Sequence, residues 1–145
     1  MNELPPAGSH IHLTAICGVG MASLAGLLSS RGYHITGSDQ NIYPPMSTYL
    51  ADIGIQVLPG FRPEHVNPRP DLVVIGNAVS RDNPEAQAVL SQGMNYISFP
   101  QALGSFLIGA RNSVVVAGTH GKTTTTAMIA WILSEAGFRP VMAGG

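Results

Sequence analysis

Short apolar segments alternate along this chain with helical segments of about ten residues, and this alternation most constrains the fold. Strands are predicted at 10–16, 34–37, 55–58, 71–75, 96–98 and 112–117. Helices are predicted at 21–31, 46–53, 83–92, 100–109 and 122–136, with one more strand around residue 141. Because strands separated by helices join in parallel βαβ units, the sequence predicts an α/β protein with a Rossmann-like parallel sheet and flanking helices.

The second part of the chain is too short for a complete sheet. The segment 109–145 has room for one strand, one helix and one more strand. We therefore expect a Rossmann-like domain over 1–108 and the truncated beginning of a P-loop ATP-binding domain over 109–145, with the chain ending inside that domain at Gly144-Gly145.

Composition and charge exclude several classes of protein. Charged residues make up only 10% of the chain, the net charge is −1, and the six arginines are scattered, so we expect no nucleic-acid partner. No leader and no apolar run of membrane-spanning length is present, which predicts a cytoplasmic protein without a membrane partner. The single Cys17 excludes an internal disulfide. The sequence leaves the oligomeric state open.

One glycine-rich segment directly follows an apolar run and opens a helix, which predicts a phosphate site. It reads Gly118-Thr119-His120-Gly121-Lys122-Thr123-Thr124. Backbone N–H groups of such a turn bind phosphate; Lys122, the only lysine, would contact it, and the Thr123 hydroxyl would hold Mg²⁺. The long P-loop pattern requires glycine where Val116 stands, so the match is to the shorter GxxGK[ST] form. The alternative is a simple turn with a solvated lysine.

The first glycine turn along the chain follows the first predicted strand and opens the first predicted helix. Gly18 and Gly20 fit a dinucleotide fingerprint, its third glycine is replaced by Ser23, and Asp39 follows about 20 residues later, where such folds hold a ribose. The alternative is a tight turn that binds nothing. Since an oxidoreductase has no evident use for a second phosphate site with a lysine, the two turns together indicate two nucleotides.

In four stretches the chain resembles the Mur ligases, ATP-dependent enzymes that join amino acids or peptides to UDP-N-acetylmuramic acid. Together these stretches span nearly the whole chain from its first part to its last, and the last stretch is the most specific. They are Ile16-Cys17-Gly18-Val19-Gly20-Met21, Gly37-Ser38-Asp39, Gly76-Asn77-Ala78-Val79-Ser80 with Asn83-Pro84-Glu85, and Ala117 to Thr125.

The resemblance implies a role for each part of the chain. The domain over 1–108 would bind UDP-N-acetylmuramate, and the residues implied are Gly18, Val19, Gly20, Met21, Ser38, Asp39, Asn77 and Ala78. The segment over 109–145 would bind ATP through Gly118, Thr119, His120, Gly121, Lys122, Thr123 and Thr124, with Lys122 and Thr123 catalytic and Mg²⁺ on Thr123. The reaction implied passes through an acyl phosphate, and this chain alone is expected to bind the UDP substrate without catalysing.

Two segments resemble one member of the family in particular: Ile16-Cys17-Gly18 and the run from Tyr43 to Thr48. That member joins a murein tripeptide, L-alanyl-γ-D-glutamyl-meso-diaminopimelate, to UDP-N-acetylmuramate in cell-wall recycling. The tripeptide site would lie outside this chain. The alternative member adds L-alanine in de novo peptidoglycan synthesis. Alternatives of other classes are an NAD-binding oxidoreductase or dinucleotide-sensing domain, and an ATPase or kinase unrelated to cell walls.

Overall fold

The computed structural model describes residues 4–109 and 111–142, so the predicted end at Gly144-Gly145 lies outside the described residues. Its core is one five-stranded sheet with the order β3-β2-β1-β4-β5, and every pairing is parallel. The strands are β1 (His10–Thr14), β2 (His34–Asp39), β3 (Val57–Pro59), β4 (Leu72–Ile75) and β5 (Tyr96–Ser98). This confirms the predicted Rossmann-like α/β fold. The strand order reverses between β1 and β4, the point at which such sheets hold ligands.

Helices connect successive strands as the alternation predicts. They are α1 (Val19–Ser30), α2 (Met46–Asp52), α3 (Pro84–Ser91), α4 (Phe99–Ala102), which continues into a π-helical turn over Leu103–Ile108, and α5 (Lys122–Glu135). A short 3₁₀ helix, Pro63–Val66, was not predicted. None of the helices in the described part of the chain is long and apolar enough to cross a membrane.

The two faces of the sheet differ in polarity. Ile11 and Leu13 of β1 are fully buried in the main core, which α1 covers. Because side chains alternate along a strand, His12 and Thr14 point to the opposite face, and they are also fully buried. A smaller apolar cluster lies on that face, formed by Val66, Val73, Ala88, Val89 and Met94. The chain therefore buries polar side chains beside an apolar cluster.

The strands predicted at 112–117 and around residue 141 are wrong. Neither segment is a strand in the structure, and Val114 and Val115 are 66% and 85% exposed. A strand needs a neighbouring strand for its backbone hydrogen bonds, and the five-stranded sheet pairs with none of the described residues of these two segments. The predicted helix over 122–136 is confirmed as α5, whose hydrogen bonds are internal, but it buries none of its residues.

Candidate functional site

The first glycine turn presents the N-terminus of α1 at the carboxyl end of β1. The strand ends at Thr14 because Ala15 takes a left-handed conformation with φ 66°, which is unusual for a residue other than glycine. No side chain caps α1 at Gly18, and its first turn carries no acidic residue. The Cys17 and Gly18 N–H groups donate to Asp39 and to the Ala15 carbonyl, which leaves the N–H groups of Val19, Gly20 and Met21 at the helix start. A helix N-terminus of this kind favours an anionic ligand.

The four predicted residues of this turn differ in exposure. Gly18 and Val19 are exposed, whereas the Met21 side chain is 5% exposed and belongs to the core. A Cβ at Gly20 would lie 2.7 Å from Cζ of Phe99, so this glycine permits close packing between α1 and α4. Gly18 and Val19 are thus the exposed positions of this turn, and Met21 presents only its backbone groups there.

Asp39 braces the first glycine turn. Its carboxylate Oδ2 accepts a hydrogen bond from the Cys17 N–H at 2.9 Å, and Oδ1 accepts from the Asn41 N–H at 2.8 Å. Burial, and then the nearby Asp39 charge, raise the pKa of the Cys17 thiol to about 11. The carboxylate predicted to hold a ribose is therefore only 6% exposed and already connects the loop after β2 to the turn after β1.

The loop after β4 packs closely against the end of β1. A Cβ at Gly76 would lie 2.9 Å from the Thr14 carbonyl oxygen, so the close approach requires glycine. The next two residues, Asn77 and Ala78, are exposed, as the prediction of ligand contacts requires. A cleft of about 280 Å³ opens beside this loop, lined by Gln40, Phe61, Ala78, Ser80, Asp82, Asn83 and Pro84. Of the eight predicted UDP-site residues, only Ala78 lines it.

A buried carboxylate that the sequence interpretation missed lies among these loops. Glu85 is fully buried, and its Oε1 accepts hydrogen bonds from Thr14 Oγ1 at 2.7 Å, Ser38 Oγ at 2.6 Å and His12 Nε2 at 3.0 Å. Its Oε2 lies 3.0 Å from His65 Nδ1. Burial raises the pKa of Glu85, but the hydrogen bonds from His12, Ser38 and Thr14 and the attraction of His12 outweigh it and hold the pKa at about 2.

The hydrogen-bonded network continues from Glu85 across the sheet. Thr36 Oγ1 lies 2.8 Å from both His12 Nδ1 and His10 Nε2, and the His10 and His34 rings are 4.9 Å apart. Burial, followed by repulsion from His34 and His12, lowers the pKa of His10. The polar residues of β1 and β2 therefore form one network on one face of the sheet.

The Ser38 side chain belongs to this polar network. It is fully buried and donates its hydroxyl to Glu85, so its side chain faces the network rather than solvent. The signal available in the sequence was the alternation of polar with apolar residues in β1 and β2, which a strand buried on both faces normally lacks.

The glycine-rich segment from Gly118 to Thr124, which we call the phosphate loop, is exposed and leads into α5. Gly121 is the N-cap with φ 74°, and α5 carries neither a side-chain cap nor an acidic residue in its first turn. The Lys122 Nζ donates to the Gly118 carbonyl at 2.8 Å, so the ammonium group is folded over its own loop. These features suit a phosphate ligand. Thr119, His120, Thr123 and Thr124 are all exposed. Their contacts with ATP or Mg²⁺ stay predictions.

Comparison with known proteins agrees with this arrangement. The family model described as Mur ligase family, catalytic domain, matches residues 10–111. The UDP-N-acetylmuramate–L-alanyl-gamma-D-glutamyl-meso-2,6-diaminoheptandioate ligase of Escherichia coli K12 is 48% identical over 130 residues, which are 90% of this chain and 28% of that protein. A UDP-N-acetylmuramate–L-alanine ligase of Neisseria meningitidis serogroup C is 43% identical, over 94% of this chain and 29% of that protein.

The solved structures give the same result. The crystal structure of a murein peptide ligase from Psychrobacter arcticus matches with a TM-score of 0.83 and 50% identity, covering 90% of this chain and 27% of that one. The chain thus spans less than a third of the length of the curated relatives it matches. Since the family model covers more than half of this chain, and the glycine turn and the loops beside it lie within the matched residues, the chain belongs to the Mur ligase family.

Proposed function

We propose that this chain is the UDP-N-acetylmuramate-binding part of an ATP-dependent ligase that joins L-alanyl-γ-D-glutamyl-meso-diaminopimelate to that substrate in peptidoglycan recycling. The observation that carries the proposal is the uncapped N-terminus of α1, which follows β1 where the strand order reverses. A polar cleft lined by residues that follow β2, β3 and β4 supports it. The substrate class comes from the names of the relatives, which are ligases for UDP-N-acetylmuramate and either this peptide or L-alanine.

In this proposal a nucleotide diphosphate would bind at the turn and the loops around it. Gly18 to Met21 would lie beside the diphosphate, the N–H groups of Val19, Gly20 and Met21 would donate to it, and Asp39 would keep the turn in place through Cys17. The nucleoside and sugar would extend toward Asn77 and Ala78, with the Phe61 ring offering apolar surface to the base. In this assignment Ser38 acts through Glu85 and not through direct contact with the substrate.

We assign residues 1–108 to this substrate domain and 109–145 to the beginning of an ATP-binding domain. Gly118 to Thr124 would cradle the ATP phosphates, Lys122 would turn from the Gly118 carbonyl to them, and Thr123 would hold Mg²⁺. Bound ATP would supply the phosphoryl group that activates the muramyl carboxylate as an acyl phosphate. Ligation needs carboxylate, nucleotide and amine held together, so we expect this chain alone to bind substrate without turnover.

The test is thermal unfolding of the chain with UDP-N-acetylmuramate, NAD and MgATP in parallel. A ligand at 100 times its Kd stabilises the folded state by about 2.7 kcal/mol, which shifts the midpoint by several degrees. We expect a shift with UDP-N-acetylmuramate and little or none with MgATP. A shift with NAD alone would support the dinucleotide-binding alternative, and a shift with MgATP alone would support an unrelated ATPase or kinase. ADP formation by this chain with both substrates present would contradict the expected lack of turnover.

A second candidate is the ligase that adds L-alanine, because relatives of that name are also 43% identical to this chain. Both candidates use the same nucleotide substrate, so binding to this chain does not separate them. Amine preference of the longer protein does: ligation of the tripeptide supports the first candidate, and ligation of L-alanine in its place supports the second.

A further inference from the structure

The buried carboxylate of Glu85 joins the segments that line the cleft. It accepts hydrogen bonds from β1, β2 and the 3₁₀ helix. Two of these stretches reach the cleft within a few residues: Gln40 lies two residues after Ser38, and Phe61 lies four residues before His65. The two residues directly before Glu85 line the cleft as well. One side chain thus sets the relative positions of three of its walls.

The same carboxylate connects to the first glycine turn. Ser38 donates to Glu85, and its neighbour Asp39 accepts the Cys17 N–H of the turn. Thr14, which also donates to Glu85, directly precedes Ala15, where the turn begins. The turn after β1 and the end of β2 are therefore both held through Glu85.

Core packing does not account for this arrangement. On the same face of the sheet, the neighbouring strand position Val73 and the facing helix residue Val89 are apolar and fully buried. Replacing a buried charge network with apolar residues of similar volume is often neutral or stabilising. A fully satisfied network instead fixes one geometry, because each hydrogen bond has a required direction and length.

We propose that Glu85 is a positioning residue for the UDP-substrate site, holding the cleft walls and the first glycine turn in the arrangement that binds the nucleotide. This role rests on the proposed function. Glu85 itself is fully buried and does not touch the ligand, so its effect passes through Ser38, Thr14 and the residues next to them.

Two replacements of similar length separate positioning from space filling. Glu85→Gln keeps an oxygen where Thr14, Ser38 and His12 donate, and its amide can donate to a neutral His65. Glu85→Met fills the space but accepts none of these bonds. Calorimetric titration of the full chain with UDP-N-acetylmuramate should give a Kd raised about tenfold or more for Glu85→Met, equivalent to about 1.4 kcal/mol. For Glu85→Gln the Kd should stay within about threefold of wild type.

Thr36→Val is the matched control. Thr36 lies in the same polar network, but its hydroxyl contacts His10 and His12 and not Glu85. We expect this variant to unfold at lower urea concentration than wild type while its Kd stays within about twofold. Ser38→Ala removes only one bond to Glu85, and it should raise the Kd about fivefold even if Glu85→Met fails to fold.

Each outcome has a distinct meaning. If wild type does not bind UDP-N-acetylmuramate, the proposed function fails, and the role of Glu85 fails with it. If wild type binds and the Gln and Met variants bind equally well, or if Ser38→Ala leaves the Kd unchanged, only the role of Glu85 is overturned. If Thr36→Val weakens binding as much as Ser38→Ala does, general loss of stability explains the effect and positioning is again overturned.

Discussion

Replacing Glu85 with glutamine removes a buried negative charge while keeping the shape of the side chain, and its effect on stability depends on pH. In the folded chain the carboxylate accepts bonds from Thr14, Ser38 and His12, and its pKa falls from the ordinary 4.5 to about 2. A carboxyl group with a lowered pKa stabilises the folded state above its unfolded pKa, and this stabilisation is lost as the pH falls through the folded pKa. The window therefore runs from about pH 5 down to about pH 2.

The magnitude follows from the two pKa values of Glu85. A fall from 4.5 to about 2 corresponds to roughly 3 kcal/mol of stability at pH 5 and above. At pH 3 roughly half of it is already lost, since the unfolded chain binds the proton and the folded chain resists it. The variant lacks this carboxyl group, so the free energies of unfolding of the two proteins should converge by roughly 2 kcal/mol between pH 5 and pH 3.

Urea unfolding followed by far-ultraviolet circular dichroism at pH 5, 4 and 3 measures this convergence. Other carboxyl groups titrate in both proteins, so they cancel in the difference. Glu64→Gln removes an exposed carboxylate from the 3₁₀ helix and controls for the change in net charge. If wild type and Glu85→Gln lose stability in parallel over this range, the carboxylate is not stabilised by its donors and the reasoning is refuted.

Three further perturbations test other parts of the fold. In Gly37→Ala the new Cβ would lie 2.5 Å from Cδ1 of Ile16, so urea unfolding should show a loss of about 1–3 kcal/mol, whereas Gly104→Ala meets nothing within 4 Å and should cost far less. Asn83→Ala removes the cap that accepts two N–H groups of α3, and the same assay should show a loss of about 1–2 kcal/mol. Because burial and a nearby carboxylate raise the pKa of Cys17 from 9.0 to about 11, a disulfide reagent at pH 8 should modify it about a hundredfold more slowly in the folded chain than in urea; equal rates would contradict this.

The sheet and its helices were predictable because their signals are local. Alternation of apolar segments with helical ones predicted all five strands of the sheet, and the strand predicted at 96–98 has the observed bounds. The first strand ends two residues earlier than predicted, since Ala15 turns the chain with a positive φ. Apolar residues alone did not reveal that turn, because Ile16 continues the apolar run and is itself fully buried.

The Glu85 network was not predictable in the same way, because it depends on register. His12 pairs with Thr36, and Thr14 with Ser38, only once β1 and β2 align in parallel. Glu85 then reaches them from more than 45 residues away in sequence. From the sequence, Asn83-Pro84-Glu85 is predicted to begin a helix, which α3 confirms, and it is among the stretches that resemble the family, but no role is predicted for Glu85. The buried role of its glutamate arises from tertiary structure.

In the phosphate loop, the helix forms from local sequence alone, whereas the preceding strand would need a partner from the rest of its domain. Gly121 adopts its left-handed conformation and α5 forms, because a helix satisfies its backbone within one segment. The preceding residues 112–117 stay irregular, because a strand needs a partner and the described sheet gives them none. A phosphate site requires both: the strand fixes where the loop begins, and the helix fixes where its N–H groups point. We therefore expect the motif to identify the ligand class correctly while this chain binds ATP weakly.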